Sequence, residues 1–482
     1  MEGFDRIIDT DELLLSDPKI KSNFRFDLYQ HGRTGLRVVF INAPGPASHS
    51  TIVVPTLCQD DYGLPHTLEH LIFCGSQNYP TRGYLEALAT RSLSTGTNAW
   101  TDSDHTAYTL STVGFEGLVN TVPVFLDHVI NPLLLEKDFV TEVYHVDGKA
   151  RQQGVVFSEM VSRENSESDV MNINLRKILY QDQTTYSYEC GGLTPFISQL
   201  QNTHIKEYHC KYYRLEFTTI ILAGQDLPHD LILKALADGP TLTKAPDASG
   251  IKPPNMQFPP PLELHETKVV EFPSDDDSSG SVGYAWRGPR FDDFISRLAL
   301  ELLLYCLTDS PASPLNQECV AIERPLANSV MYDVALSPET SLWIEFTGVP
   351  KGSNDGEPDE DNRALLEPGN FRNEFLRALT KSIDELSTEL IQEGIARYRV
   401  MLLESLEDDA AYDLTQSLVP AIVADMFASV QVKDSINHLC AQFSELNELA
   451  RAPPCVLEKS CPSLVAEIEP SRGSGSSQLP VG

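Results

Sequence analysis

The feature that most restricts the fold is an interruption. Between Thr243 and Pro261 the chain reads TKAPDASGIKPPNMQFPPP, with six prolines and few large apolar side chains. Each proline removes a backbone donor and fixes its own φ, so neither a helix nor a central strand can run through this stretch, which is a semi-rigid connector. At 482 residues the chain is also too long for one ordinary core. The expected organisation is one domain over residues 1–242, a linker over 243–262, a second domain over 263–466, and a Gly/Ser-rich, disordered tail over 467–482.

A similar order of elements recurs on either side of the linker. Before it, the β-branched runs LRVVFINAP from Leu36 and HSTIVVPTL from His49 read as strands. The stretch TNAWTDSDHTAYTLSTVG from Thr97 reads as strand–turn–strand, NTVPVFLDHVINPLL from Asn120 and GVVFSEMVSRENS from Gly154 as helices, and FTTIILAG from Phe217 as a strand. After the linker come strands at TKVVEF from Thr267 and SVGYAWRGP from Ser281, then a helix at FISRLALELLLYCL from Phe294. Strands at SVMYDVAL from Ser329 and SLWIEFTGV from Ser341 precede long helices from Phe371 and Leu386. Strands before and after helical blocks indicate an α+β fold. We expect two tandem layered domains, homologous to one another, each an antiparallel or mixed sheet covered by helices. The acidic stretch KGSNDGEPDEDNR from Lys351 reads as a solvated loop.

Charge narrows the partners. Lys and Arg number 36 against 69 Asp and Glu, a formal net charge of −33. Such an anionic surface argues against nucleic acid and anionic membranes and favours basic or neutral partners. No window reaches the length of apolar sequence that a membrane span needs. The acidic N-terminus resembles neither a secretory signal nor an Arg-rich transit peptide, and nine cysteines without a CxxC pair read as reduced thiols. The expected compartment is the cytoplasm, ahead of the mitochondrial matrix.

The chemistry concentrates in GLPHTLEHLIFCGS, from Gly63. Leu64, Leu68, Leu71 and Ile72 recur at helical spacing, which places His66, Glu69, His70 and Phe73 together on the other side. Two histidines at i and i+4 are one turn apart and reach one Zn2+ between them. Glu69 shares their face; as a non-ligand it can take a proton from a zinc-bound water that attacks a peptide carbonyl. The bland alternative is the polar side of an amphipathic helix. A catalytic zinc needs a third protein ligand, and Glu142, Glu159 and Glu164 all lie downstream; spacing does not choose among them. Cys74 reads as a buried structural cysteine and His105 as a turn or strand-edge histidine.

The order HxxEH is the inverzincin signature. Together with TNAWTDSDHTAYTL and GVVFSEMVSRENS, it makes the stretch from Gly63 to Ser166 resemble the pitrilysin and insulysin family of metallopeptidases. The match is nearest to the presequence-protease branch in GVVFSEM and in the CGS…YP after the helix. The resemblance implies that Glu159 is the third ligand, and that Asn98, Ala99 and Trp100 lie on an edge strand along which the substrate backbone pairs. It also places a glutamate behind the ligands in some branches, seven residues before the third ligand; here that residue is Gln152. No second HxxEH occurs, since His265 and His438 are the only histidines after residue 260, so one zinc per chain is expected. Active single-chain relatives carry a second half that closes over the first and supplies an Arg and a Tyr to the substrate. Nothing corresponding is present here, which implies half of a clam-shell peptidase whose chamber needs a second half-chain or another copy.

The leading expectation is a zinc metalloendopeptidase that hydrolyses peptides, preferentially basic ones, or short unfolded segments. The alternatives are an incomplete half-chain acting as a binding or regulatory subunit, and a structural zinc module.

Overall fold

The computed structural model describes residues 3–9, 24–181, 184–253, 256, 267–275, 278–351, 365–366 and 369–449. The expected tail, part of the linker and the acidic stretch beyond Lys351 lie outside the described residues. The chain divides into two compact units. The first gathers Met1–Glu164, Tyr180–Pro259 and Leu402–Gln442; the second gathers Asn165–Leu179, Pro260–Met401 and Phe443–Gly482.

From the N-terminus the elements are β1 (Phe4–Asp9), β2 (Arg25–His31), β3 (Arg37–Asn42), β4 (Ala47–Pro55), α1 (Leu64–Ile72), α2 (Tyr84–Arg91), β5 (Ser94–Thr101), β6 (His105–Val113), α3 (Phe115–Ile130) and α4 (Glu136–Glu142). The two-residue strands β7 (His145–Val146) and β8 (Gln152–Gln153) follow, then α5 (Val155–Glu164), α6 (Glu167–Tyr180), α7 (Thr194–Ile197), α8 (Asn202–Tyr212), β9 (Thr219–Gly224), α9 (His229–Asp238) and α10 (Pro240–Lys244). Nearly all of α6 belongs to the second unit; the others form the first.

A seven-stranded sheet in the order β1-β2-β3-β9-β4-β6-β5 organises the first unit. Only β3 and β9 run parallel. Strand β9 pairs on both sides and every residue of TIILAG is buried, which is why its sequence is a continuous apolar run without alternation. Strand β5 closes the sheet at the opposite rim from β1, and its polar sequence STGTNAWT leaves no residue fully buried. The strands β1 and β2 escape the sequence reading because charges interrupt them. Asp27 of β2 is buried and balanced by Arg6 and by Arg25, the latter at 3.1 Å.

The second unit has a three-stranded antiparallel sheet, β10 (Ser279–Arg290), β12 (Glu339–Pro350) and β11 (Ser329–Ala335), with β12 in the middle. Helices α11 (Phe294–Thr308), α12 (Pro314–Cys319) and α13 (Asn370–Asp384) accompany it. Tyr284 of β10 stacks on Phe375 of α13 at 4.5 Å between ring centroids. Residues 267–275 form no strand, contrary to the reading of TKVVEF. Their side chains are mostly exposed, Val269 to 68%, so the run has no covering layer to make it a half-buried strand.

Helix α14 (Thr388–Ala428) is interrupted at Asp409, where φ −149° and ψ 76° leave the helical region; α15 (Val432–Leu449) follows. From Leu402 to Gln442 this segment belongs to the first unit, where Asp425 pairs with Arg37 and Asp409 meets the His49 ring at 3.0 Å. None of the described helices is long and apolar enough to cross a membrane.

Candidate metal centre

Helix α1 carries the HxxEH residues, and its start depends on glycine. Gly63, the N-cap, has φ 72°, a left-handed conformation that costs other residues roughly 1–2 kcal/mol. A Cβ on it would also sit 2.4 Å from the carbonyl oxygen of Gly191. A Cβ on Gly191 would lie 2.7 Å from the Met160 sulfur of α5. The turn Cys190–Gly192 is thus wedged between the first turn of α1 and α5, and the absence of side chains sets how closely those helices approach. Pro65 is tolerated in the first turn of α1, where its missing N–H has no helical partner to lose.

The expected polar face of α1 is not a solvent face. Leu68, Leu71 and Ile72 are fully buried, but His66 on the other side is only 7% exposed. The His66 Nε2 lies 3.2 Å from the His70 Nε2, and the Glu159 Oε2 is 3.6 Å from each. Zinc bonded tetrahedrally at about 2.0–2.1 Å separates its donor atoms by roughly 3.3–3.4 Å, so these three atoms fit one Zn2+. They are the one cluster of metal-ligand type among the described residues.

Burial, then the charge of His70, pushes the His66 imidazole down to about 4, so it stays neutral, the form that ligates. Burial acts to lower His70 as well, but the Glu159 hydrogen bond and the carboxylates of Glu69, Glu159 and Glu142 outweigh it and raise its proton affinity. Glu159 is held below the usual carboxylate range, chiefly by its hydrogen bond with His70. Glu69 lies outside the cluster and differs from Glu159. Its Oε2 accepts the Thr101 hydroxyl at 2.6 Å, and burial raises its proton affinity despite that bond.

Geometry separates the three downstream carboxylates. Glu164 accepts from the backbone N–H and hydroxyl of Thr194 at 2.6 and 2.7 Å. Glu142 faces the other nitrogen of His70, Nδ1, at 3.9 Å, and pairs with Arg82. Only Glu159 meets both Nε2 atoms. The carboxylate behind the three-donor cluster is therefore Glu142, delivered by α4, and not the residue seven before Glu159: Gln152 is exposed on β8. Sequence reasoning missed this role for Glu142, and also Thr101 and the glycine turn. The Gly191–Gly192 pair was the available signal.

A cleft of about 390 Å3 opens beside the cluster, lined in part by Glu69, His70, Cys74, Arg82, Asn98 and Ala99. Burial pushes the Cys74 thiol up to about 11, which suits the structural reading of that residue. Asn98, Ala99 and Trp100 lie on β5 at the rim of the sheet, pairing inward with Thr109, Tyr108 and Ala107 of β6. Asn98 is exposed and Ala99 half-buried, while the Trp100 indole turns back to donate to the His105 Nε2 at 3.1 Å.

An α+β sheet whose rim flanks an HxxEH helix with a distant glutamate is an architecture of metallopeptidase type. The pattern described as "Insulinase (Peptidase family M16)" matches residues 38–186, and "Peptidase M16 inactive domain" matches 199–353. The chain belongs to peptidase family M16. An uncharacterised protein of Caenorhabditis elegans is 35% identical over 341 residues, 69% of this chain and 33% of its own length. The mitochondrial presequence protease of Xenopus laevis is 28% identical over 351 residues, 70% of this chain and 34% of its own length. The chain thus spans about a third of the curated relatives it matches. Among solved structures, a protease from Helicobacter pylori has a TM-score of 0.68 at 19% identity, covering 89% of this chain and 93% of that one. Pitrilysin has a TM-score of 0.59 at 17% identity, covering 92% of this chain but 46% of its own. These two likenesses are ones of fold: the same α+β half makes up nearly a whole chain in one and half a chain in the other.

Proposed function

We propose that this chain is the zinc-bearing half of a metalloendopeptidase that hydrolyses peptides or short unfolded segments. His66, His70 and Glu159 hold one Zn2+, and Glu69 is the general base. The observation that carries this reading is the convergence of three donor atoms with Glu69 left outside them, on the same helix and lining the cleft. Zinc, when bound, supplies Lewis acidity at the scissile carbonyl and lowers the pKa of water toward about 7. Glu69 accepts the water's proton on its carboxylate and returns it to the leaving amine, while Thr101 fixes which way that carboxylate points. An extended peptide adds to the sheet along Asn98–Trp100, its backbone held by main-chain groups of the rim strand.

The substrates proposed are basic peptides. The cleft wall carries Glu69, Glu86 and Glu142 against one arginine, Arg82, on a chain of net charge −33. Presequences, after which several relatives are named, are of that Arg-rich kind. A second half, in the same polypeptide or as another chain, closes the chamber. Pitrilysin, twice the length of this fold, supports that arrangement. The described cysteines stand as thiols, in keeping with a reducing compartment such as the cytosol.

Metal analysis of the full chain tests the ligand set. Wild type should hold one zinc; Glu159→Gln should lose most of it and Glu142→Gln should keep it. Metal lost from the second variant and kept by the first would overturn the assignment.

A further inference from the structure

A buried chain of hydrogen bonds runs up to the rim strand, and the proposed chemistry does not use it. The Tyr186 hydroxyl donates to the Asp104 Oδ2 at 2.7 Å, the other Asp104 oxygen lies 2.7 Å from the His105 Nδ1, and the Trp100 indole N–H reaches the His105 Nε2 at 3.1 Å. Tyr186, Asp104 and His105 are 6%, 4% and 7% exposed. The indole nitrogen can only donate, so the His105 Nε2 must accept, and the ring's proton must sit on Nδ1 facing Asp104. Burial, reinforced by the adjacent Asp104 carboxylate, keeps the proton on the Tyr186 hydroxyl. Every link then has one donor and one acceptor: Trp100 donates to His105, and His105 and Tyr186 both donate to the Asp104 carboxylate.

The chain ends at the site. Trp100 precedes Thr101, whose hydroxyl binds Glu69 at 2.6 Å. A second clamp holds the same turn from below: the Thr185 hydroxyl, next to Tyr186, lies 2.6 Å from the Cys58 carbonyl oxygen and 3.0 Å from that of Ser103. The last two residues of β5 are thus fixed from the interior of the first unit, although β5 lies at the rim of the sheet and is nowhere fully buried.

We propose that Tyr186, Asp104 and His105 are positioning residues: they hold the Trp100 indole, and with it the strand on which peptide pairs and the threonine that aims Glu69. This rests on the proposed function, because it assigns the relay a substrate-binding consequence. Without the relay the indole loses its buried acceptor and swings, and β5 loses the register it presents to an added strand. The zinc ligands, which lie on α1 and α5, are left in place.

The test uses the full chain with Glu69→Gln, so that a fluorescein-labelled Arg-rich peptide is bound and not cut. His105→Phe and Trp100→Phe, each added to that background, should weaken peptide binding by about three- to tenfold, as expected for one hydrogen bond, with zinc content unchanged. The double variant should bind no worse than either single one, since both break the same link. With 15N-tryptophan labelling, Tyr186→Phe should shift the indole N–H resonance that Trp100→Phe removes. Additive losses, unchanged binding, zinc loss in these variants, or an indole resonance unmoved by Tyr186→Phe would each overturn the proposal. Failure of the peptidase reading looks different: the Glu69→Gln chain itself would bind no peptide, while Tyr186→Phe would still shift the indole signal.

Discussion

Three carboxylates crowd one end of α1, and their partners give them different work. Glu159 meets two imidazole nitrogens, Glu142 stands against the back of one ring with Arg82, and Glu69 is tied to a hydroxyl on the neighbouring strand. Glu69→Gln preserves the shape and the Thr101 contact but removes the carboxylate proposed as the base. It should retain zinc and lower turnover by about 10²–10⁴ in a peptide-cleavage assay with a chelator control. Zinc loss in that variant would make Glu69 a ligand. Glu142→Gln removes the charge that faces the His70 Nδ1. Titration against a competing chelator should show the same stoichiometry with affinity lower by about 10–100-fold, since groups behind a ligand set its orientation and basicity.

At the scale of elements, the segment leaving α1 is anchored by a single carboxylate near the end of α3. Asp127, fully buried, accepts from the Ser76 hydroxyl at 2.6 Å, from the Asn78, Asn131 and Thr241 side chains at 2.9 Å each, and from the Asn78 backbone at 3.2 Å. Burial works to raise its pKa, but these donors together lower it. The folded-state pKa therefore lies below the unfolded one. The stability this confers is complete above the unfolded value, near 3.8, and is lost as pH falls through the folded value. Asp127→Asn should cost about 2–3 kcal/mol in urea unfolding at neutral pH, and the gap from wild type should close under strong acid. A gap that stayed constant down to low pH would mean that the charge is not what matters. At the other end of α1, Gly63→Ala meets both a left-handed backbone and the Gly191 carbonyl at 2.4 Å. It should destabilise the chain more than Gly83→Ala at the N-cap of α2, where the backbone is also left-handed (φ 79°) but the Cβ would meet nothing within 4 Å.

For the whole molecule, charge and completeness are the properties that matter. If the anionic cleft wall captures cationic peptides, their KM should rise steeply between low and physiological salt while that of acidic peptides changes little. Equal, salt-insensitive cleavage of both at low ionic strength would remove the basis for the basic-peptide reading. Zinc and a base do not suffice for rate: the peptide must be held in line, the oxyanion needs preorganised donors, and an open site stays wet. A preparation of these 482 residues alone should bind zinc and cleave slowly, and a chain supplying the other half should accelerate it. Vigorous, chelator-sensitive cleavage by material that light scattering shows to be monomeric would contradict this.

Local periodicity was enough for much of this protein. The spacing of His66, Glu69 and His70 is a property of any helix, and the β-branched runs of β3, β4 and β9 announce buried strands wherever they sit. The α+β class followed from the order of such runs. What the sequence leaves open is whatever depends on meeting at a distance. Glu142, Glu159 and Glu164 are equivalent as letters, and the separation of α4 from α5 decides which one faces Nε2, which faces Nδ1 and which caps a neighbouring turn. The interruption of α14 at Asp409, the return of Leu402–Gln442 to the first unit, and the hydrogen bond from Tyr186 to Asp104 likewise have no local signature. Their causes are contacts between residues tens to hundreds of positions apart, and these exist only once the sheet has formed.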